Sequence, residues 1–133
     1  MVVSQLPNDE EIAKGEPNML EKIKIAVKAL DDKKGENICV IDISEQTVIT
    51  DYFIIVNGNS PSQVQALVEN VTEALEKNGV TLLQSEGKAS GNWILLDFND
   101  IIVHVFLKED REFYDLERMW RDGKFIDVNT LLS

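Results

Sequence analysis

Residues 86–122 carry the strongest structural signal in this chain and read EGKASGNWILLDFNDIIVHVFLKEDREFYDLERMWRD. The run holds both tryptophans, the only histidine and all three arginines of the protein. Its centre predicts a β-hairpin, with one strand at Trp93 to Phe98 and the next at Ile101 to Leu107. The intervening Asn99-Asp100 suits a two-residue turn, because Asn tolerates a positive φ angle.

The hairpin register sorts these residues onto two chemically different faces, because successive side chains of a strand point to opposite sides of the sheet. One face is wholly apolar and is predicted to be core, with the pairs Phe98–Ile101, Leu96–Val103 and Ile94–Val105. The other face has the predicted pairs Asp97–Ile102, Leu95–His104 and Trp93–Phe106. A sheet face that mixes aromatic, acidic and imidazole groups with aliphatic ones is either covered by a less regular layer or used for binding.

The composition is typical of one small acidic domain. A chain of 133 residues, 44% of them apolar, can bury a modest core. The net charge is −11 and the isoelectric point is about 4.4. This charge disfavours direct nucleic-acid binding, in which neutralised phosphates supply most of the affinity. It favours either a basic partner or simply a well-solvated surface.

Cysteine usage and the terminal sequence indicate a cytoplasmic protein. The single cysteine, Cys39, excludes an internal disulfide and lies in the apolar run NICVIDI, which is typical of a buried inert thiol. No signal peptide and no apolar run long enough to cross a bilayer is found. The first 18 residues contain four acidic residues and no arginine, unlike an organelle transit peptide.

Upstream of the hairpin, the hydrophobic pattern predicts two helices and three strands. Residues 1–17 lack apolar periodicity and are interpreted as a mobile N-terminal tail. The helices are marked by capping residues and glycines: Asn18, Glu21 and Gly35 for the first, and Ser60, Pro61, Gln63 and Gly79 for the second. Strands are predicted at residues 37–43, 50–57 and 80–84. The strand–helix–strand unit that ends at residue 84 predicts a right-handed parallel crossover.

Downstream of the hairpin, a short helix is predicted at about residues 111–121, with Phe113, Leu116 and Trp120 on one side. Its alternating charges predict i,i+4 pairs and a solvated helix face. Gly123 closes this helix, and the chain beyond it is predicted to fray. The resulting fold class is α/β or α+β, a single domain with a mixed sheet of about five strands and helices packed on it.

A helix N-terminus after a strand could bind phosphate, and Gly58-Asn59-Ser60 resembles the Gly-Ser turn of nucleotidyltransferases. That chemistry also needs paired carboxylates to hold a divalent metal, and no Asp-x-Asp follows Ser60. A helix cap accounts for Ser60. A nucleotidyltransferase-like enzyme that uses this turn therefore remains only the alternative to a non-catalytic binding protein.

The sole histidine, His104, is a candidate general base or metal ligand. No second histidine accompanies it, and Cys39 lies in a different strand, so a conventional zinc cluster is excluded. A Ser-His-Asp triad lacks its G-x-S-x-G elbow. A structural or interface role is therefore favoured, and no metal, cofactor or catalytic residue is expected.

The mixed face of the hairpin remains as the candidate partner-binding surface. Trp93 is either an interface anchor, for which tryptophan is enriched, or a core plug covered by the C-terminal helix. The expected partner-binding residues form an apolar centre with a polar rim. They are Trp93, Leu95, Asp97, His104, Phe106, Glu86 and Lys88.

Several ordered motifs between Leu20 and Asp127 resemble the ribosomal silencing factors, also called the Iojap-related family. They are TDYFIIV at 50–56, Gly58, Ser60, EG at 86–87, NWILLD at 92–97, VHVF at 103–106, REFYDLE at 111–117 and Trp120. The resemblance implies a domain at residues 18–127, between the N-terminal tail and a C-terminal tail at 128–133, with a nucleotidyltransferase-like topology.

The resemblance also implies a function. Proteins of this family bind the large ribosomal subunit through its protein L-fourteen and sterically block its association with the small subunit. Translation is thereby repressed when nutrients are scarce. The resemblance implies no turnover and no cofactor. The charge and the hydropathy argue against nucleic-acid specificity and membrane association, and a homodimer of the free protein stays open.

Overall fold

The computed structural model describes residues 17–87 and 90–132. These residues form five helices: α1 (Met19–Asp32), α2 (Pro61–Lys77), α3 (Lys108–Tyr114), α4 (Leu116–Met119) and α5 (Val128–Leu132). They also form six strands: β1 (Glu36–Asp42), β2 (Tyr52–Gly58), β3 (Gln84–Glu86), β4 (Trp93–Asp97), β5 (Ile101–Leu107) and β6 (Lys124–Ile126). The predicted N-terminal tail at residues 1–16 lies outside the described residues.

The strands form one mixed sheet in the order β3-β4-β5-β2-β1-β6. The central pair, β2 and β5, is parallel, and the other four pairs are antiparallel. The fold is therefore a single-domain α+β fold, as predicted, but its sheet has six strands rather than about five. The β2–α2–β3 unit connects two strands of the same direction, and β5 and β4 lie between them.

The hairpin of β4 and β5 has the predicted register. Trp93 pairs with Phe106 and Asp97 pairs with Ile102, and the three pairs between them also match. Asn99 adopts a φ angle of 80° in the turn. Its backbone N–H donates a hydrogen bond to Oδ1 of the Asp97 carboxylate at 2.8 Å. The turn chemistry and the alternation therefore agree on one register.

One face of the sheet packs against α1 and α2, whose apolar stripes cover it. The predicted core side chains of the hairpin, among them Leu96 and Val103, are fully buried there. α1 begins with a reciprocal capping box between Asn18 and Glu21. At α2, Ser60 caps the helix as predicted, but the Gln63 side chain accepts from the N–H of Asn59 rather than that of Ser60.

The opposite face carries a second, smaller core, which the short helices α3 and α4 partly cover. Its buried residues are Ile41, Ile43, Phe53, Ile55, Ile102, Phe106 and Leu116. This cover is less regular than that of the first face, because α3 and α4 have only seven and four residues. The part of this face over β4 consequently remains partly open.

Three local predictions are wrong. The strand expected at 80–84 forms at Gln84–Glu86 instead, where pairing with β4 places it. The single helix expected at 111–121 is broken at Asp115, whose φ angle of 49° is left-handed and separates α3 from α4. The chain after Gly123 does not fray: β6 pairs with the β1 edge, and α5 buries Leu131 in the main core.

Candidate functional site

The partly open edge of the second face presents a small apolar surface with acidic residues beside it. We call it the Trp93 surface and define it by Trp93, Leu95, Asp97, Glu86 and Tyr114. The first three alternate along β4 and are half-buried. Glu86 is exposed on β3 and pairs with Leu95, so the two side chains lie on the same face. Tyr114 closes the surface from the end of α3.

Trp93 is held on three sides. Its ring stacks on Phe106 with centroids 5.0 Å apart, and it contacts Tyr114 at 4.6 Å. Its indole Nε1 donates a hydrogen bond to Nδ1 of His104 at 3.1 Å. A half-buried aromatic ring with fixed neighbours loses little side-chain entropy on binding, which is the property of an interface anchor.

His104 is 3% exposed and lies beneath Trp93 in the second core. Burial lowers its pKa to about 4, so the ring is neutral at pH 7. Because Nδ1 accepts from the indole, the single proton of the neutral ring is on Nε2. Phe53 packs against the imidazole in a T-shaped contact with centroids 4.6 Å apart. Nε2 has no hydrogen-bond partner among the residues described.

The structure separates the predicted partner-binding residues into two groups. Trp93, Leu95, Asp97 and Glu86 are at least partly accessible. His104 and Phe106 are buried, Phe106 completely, because α3 and Tyr114 lie over this part of the sheet. These two side chains support the surface from below rather than forming it. Lys88 lies outside the described residues.

Two exposed aromatic residues of α3 were not predicted as part of the site. Tyr114 is 44% exposed and touches Trp93, and Phe113 is 81% exposed and touches Tyr114 in turn. The helical spacing had placed Phe113 on one side of a single helix together with Leu116. The two residues instead differ in exposure, because the break at Asp115 ends the helical periodicity before Leu116.

Arg111 fixes α3 to the sheet, although the charge pattern predicted a solvated helix face. Its side chain is buried and donates to the Asn57 side chain at 3.0 Å and to the Glu36 carbonyl at 3.2 Å. It also forms an ion pair with Glu117, six residues ahead rather than four. Three separate elements are thereby tied to the helix that carries Tyr114.

The candidate catalytic features have structural roles. The Ser60 hydroxyl accepts the hydrogen bond that caps α2, and the Asn59 side chain donates to Glu36. Burial raises the pKa of the Cys39 thiol to about 11, which makes it a poor nucleophile. In the described part of the chain, no group of three or more potential metal ligands comes together. No helix among these residues is long and apolar enough to cross a membrane.

Comparison with known proteins gives consistent matches over most of the chain. Residues 16–133 match the family model described as "Ribosomal silencing factor during starvation". The "Ribosomal silencing factor RsfS" of Bacillus subtilis is 38% identical over 112 residues, which cover 84% of this chain and 95% of that protein. The mouse "Mitochondrial assembly of ribosomal large subunit protein 1" is 32% identical and aligns over 79% of this chain and 47% of its own length.

A solved structure shows the same fold. The crystal structure of a protein from Chromobacterium violaceum superposes with a TM-score of 0.73 at 41% sequence identity. The match covers 75% of this chain and 83% of that one.

Proposed function

The chain belongs to the ribosomal silencing factor family, and we propose that it binds the large ribosomal subunit through protein L-fourteen and sterically blocks association with the small subunit. Bound in this way, it represses translation under nutrient limitation. The action is that of a stoichiometric binding protein in the cytoplasm, without a cofactor and without turnover.

The observation that carries the proposal is the state of Trp93. Its ring is half-buried, stacked on a buried Phe106 and hydrogen-bonded to a buried His104. A side chain that served only as a core plug would be covered. A tryptophan that is rigid in the free protein yet partly accessible is suited to fill a pocket on a partner.

The charges around Trp93 favour a basic protein partner. Asp97 and Glu86 lie on the same sheet face as Leu95, so acidic groups border an apolar centre. The whole chain carries a net charge of −11. Complementary charge accelerates encounter with a basic ribosomal protein and fixes its orientation. Neighbouring RNA phosphates repel the same charge, which confines contact to the protein.

The names of the relatives support a target on the large subunit. The bacterial relatives are named as ribosomal silencing factors, and the mouse relative is named for assembly of the mitochondrial large subunit. Blocking of subunit joining is the simplest action for a small protein bound there, because it needs only an occupied interface.

The test is a subunit-joining assay on sucrose gradients. The parent protein, added to separated subunits, is expected to lower the yield of joined ribosomes and to co-sediment with the large subunit. Trp93→Ala is expected to lose about 2 kcal/mol of binding free energy, or about thirtyfold in affinity. Phe125→Ala is the matched control, because Phe125 is 49% exposed on β6 at the opposite edge of the sheet.

Circular dichroism must show that both variants are folded. If folded Trp93→Ala blocks joining as well as the parent does, the Trp93 surface is not the binding site. If the parent protein never impedes joining, subunit blocking is not the function of this chain.

A further inference from the structure

His104 is a buried polar side chain that the proposed binding function does not itself require. It lies in the middle of the sheet, paired with Leu95 on one side and Ile55 on the other. An aliphatic side chain could fill this position without the cost of burying an imidazole. What the imidazole adds is an acceptor, Nδ1, at 3.1 Å from the indole N–H of Trp93.

We propose that His104 is a positioning residue that fixes the indole of Trp93 in one orientation at the Trp93 surface. This inference rests on the proposed function, since it concerns the same surface. The residue touches no partner itself. It acts through the single hydrogen bond to Trp93, which prepares the anchor before binding.

The geometry explains why an acceptor is needed there. The outer torsion of a tryptophan side chain is broad and has two main orientations related by a flip of the ring. Stacking on Phe106 restrains the plane of the indole but is nearly indifferent to such a flip. A hydrogen bond from Nε1 is directional, so it selects the orientation in which the N–H points inward. The carbon edge of the indole then faces the partner.

The acceptor is itself held in place. The T-shaped contact with Phe53 fixes the plane of the imidazole, and its 3% exposure leaves no room for rotation into solvent. A neutral ring presents Nδ1 as an acceptor only while the proton is on Nε2. The imidazole is therefore a fixed acceptor beneath a partly exposed ring, and less side-chain order remains to be imposed when the partner binds.

Two substitutions separate this role from simple core packing. His104→Leu fills the same core position with an apolar side chain and removes the acceptor. His104→Asn retains an oxygen that can lie close to the position of Nδ1. The leucine variant is expected to weaken binding to the isolated large subunit about fivefold, the typical value of one neutral hydrogen bond. The asparagine variant is expected to recover most of that loss.

The readout in the free protein is the indole N–H signal in ¹H–¹⁵N spectra. The chain has two tryptophans, so Trp120 serves as an internal reference in the same aromatic layer. In His104→Leu the Trp93 signal is expected to shift upfield and to exchange faster with solvent, while that of Trp120 stays in place. In the parent protein at pH 7, long-range ¹H–¹⁵N spectra of the imidazole are expected to show the proton on Nε2. This measurement does not depend on the folding of any variant.

A double-mutant cycle connects orientation to binding. Trp93→Phe removes the donor and keeps an aromatic ring. If His104 acts through Trp93, then His104→Leu weakens binding about fivefold in the parent and leaves it unchanged in the Trp93→Phe background. An equal loss in both backgrounds would identify His104 as a merely structural residue and overturn the inference.

Two further outcomes also overturn it: a proton on Nδ1 in the parent, or a Trp93 indole signal that His104→Leu does not change. Failure of the proposed function is recognised separately. In that case the parent does not bind the large subunit, and the spectra still decide whether His104 orients Trp93.

Discussion

Two adjacent leucines of β4 give a direct test of which sheet face is core and which is surface. Leu96 is 0% exposed and lies in the main core beneath α1 and α2. Leu95 is half-buried on the opposite face, as part of the Trp93 surface. Because the two positions share a strand and a residue type, substitution by alanine differs between them only in the face that it affects.

The expected stability losses follow from burial. Leu96→Ala leaves a cavity between the sheet and two helices, which costs about 2–5 kcal/mol. Leu95→Ala removes a side chain that is only partly withdrawn from water, so it costs about 1 kcal/mol. With a urea m-value of about 2 kcal/mol/M, the midpoint falls by about 1–2.5 M for the first variant and by about 0.5 M for the second.

Equilibrium unfolding in urea, followed by circular dichroism, measures these midpoints. The affinity for the isolated large subunit is expected to rank the two variants in the opposite order. Leu95→Ala should weaken binding, whereas folded Leu96→Ala should bind nearly as tightly as the parent protein. A midpoint loss of the same size at both positions would refute the assignment of the two faces. Preserved binding in Leu95→Ala would exclude that side chain from the docking surface.

Three further predictions concern single groups. The pKa of the His104 ring is about 4 in the native state and about 6.5 in the unfolded chain, so the stability that the neutral ring contributes above pH 6.5 is lost as the pH falls toward 4. Lowering the pH from 7 to 5 is therefore expected to cost about 2 kcal/mol of unfolding free energy in urea titrations. His104→Asn should remove that loss. Arg111→Met is expected to cost about 1.5–3 kcal/mol in chemical denaturation, whereas exposed Arg118→Met should change stability by no more than about 0.5 kcal/mol. Gly87→Ala should lower the thermal unfolding midpoint more than Gly91→Ala does. Both glycines have positive φ angles, but only at Gly87 would an added Cβ lie 1.9 Å from a backbone oxygen, that of Trp93 in β4.

The hairpin was predictable because its signals are local. Strict alternation assigns each side chain of β4 to a face, and Asn99-Asp100 marks the turn, so a one-residue shift in register would expose Leu96 and bury Asp97. The caps of α1 and α2 were predictable for the same reason, since Asn18 and Ser60 lie directly before apolar helical stripes. In each case the residues that specify the structure are neighbours in the sequence.

The cover of the second face was not predictable, because it depends on contacts between distant residues. Arg111 lies within a run of alternating charges, and nothing local distinguishes it from its exposed neighbours. Its partners on the sheet are Asn57, 54 residues earlier, and Glu36, 75 residues earlier. The left-handed turn at Asp115 is likewise permitted rather than demanded by its residue type. Burial of Phe106 and His104 follows from this cover, so it could not be predicted either.

The incomplete cover also supports the proposal that one sheet face serves both stability and binding. α3 is held to the sheet by the Arg111 interactions, and its last residue, Tyr114, ends against Trp93. A longer helix continuing in the same direction would extend this cover, whereas the turn at Asp115 redirects the chain so that Leu116 is buried in the second core. The second core therefore buries one side of Trp93 and leaves the rest of its ring accessible. A partner that binds at this edge meets side chains already ordered by folding, so the entropy cost of ordering the anchor is met before the complex forms.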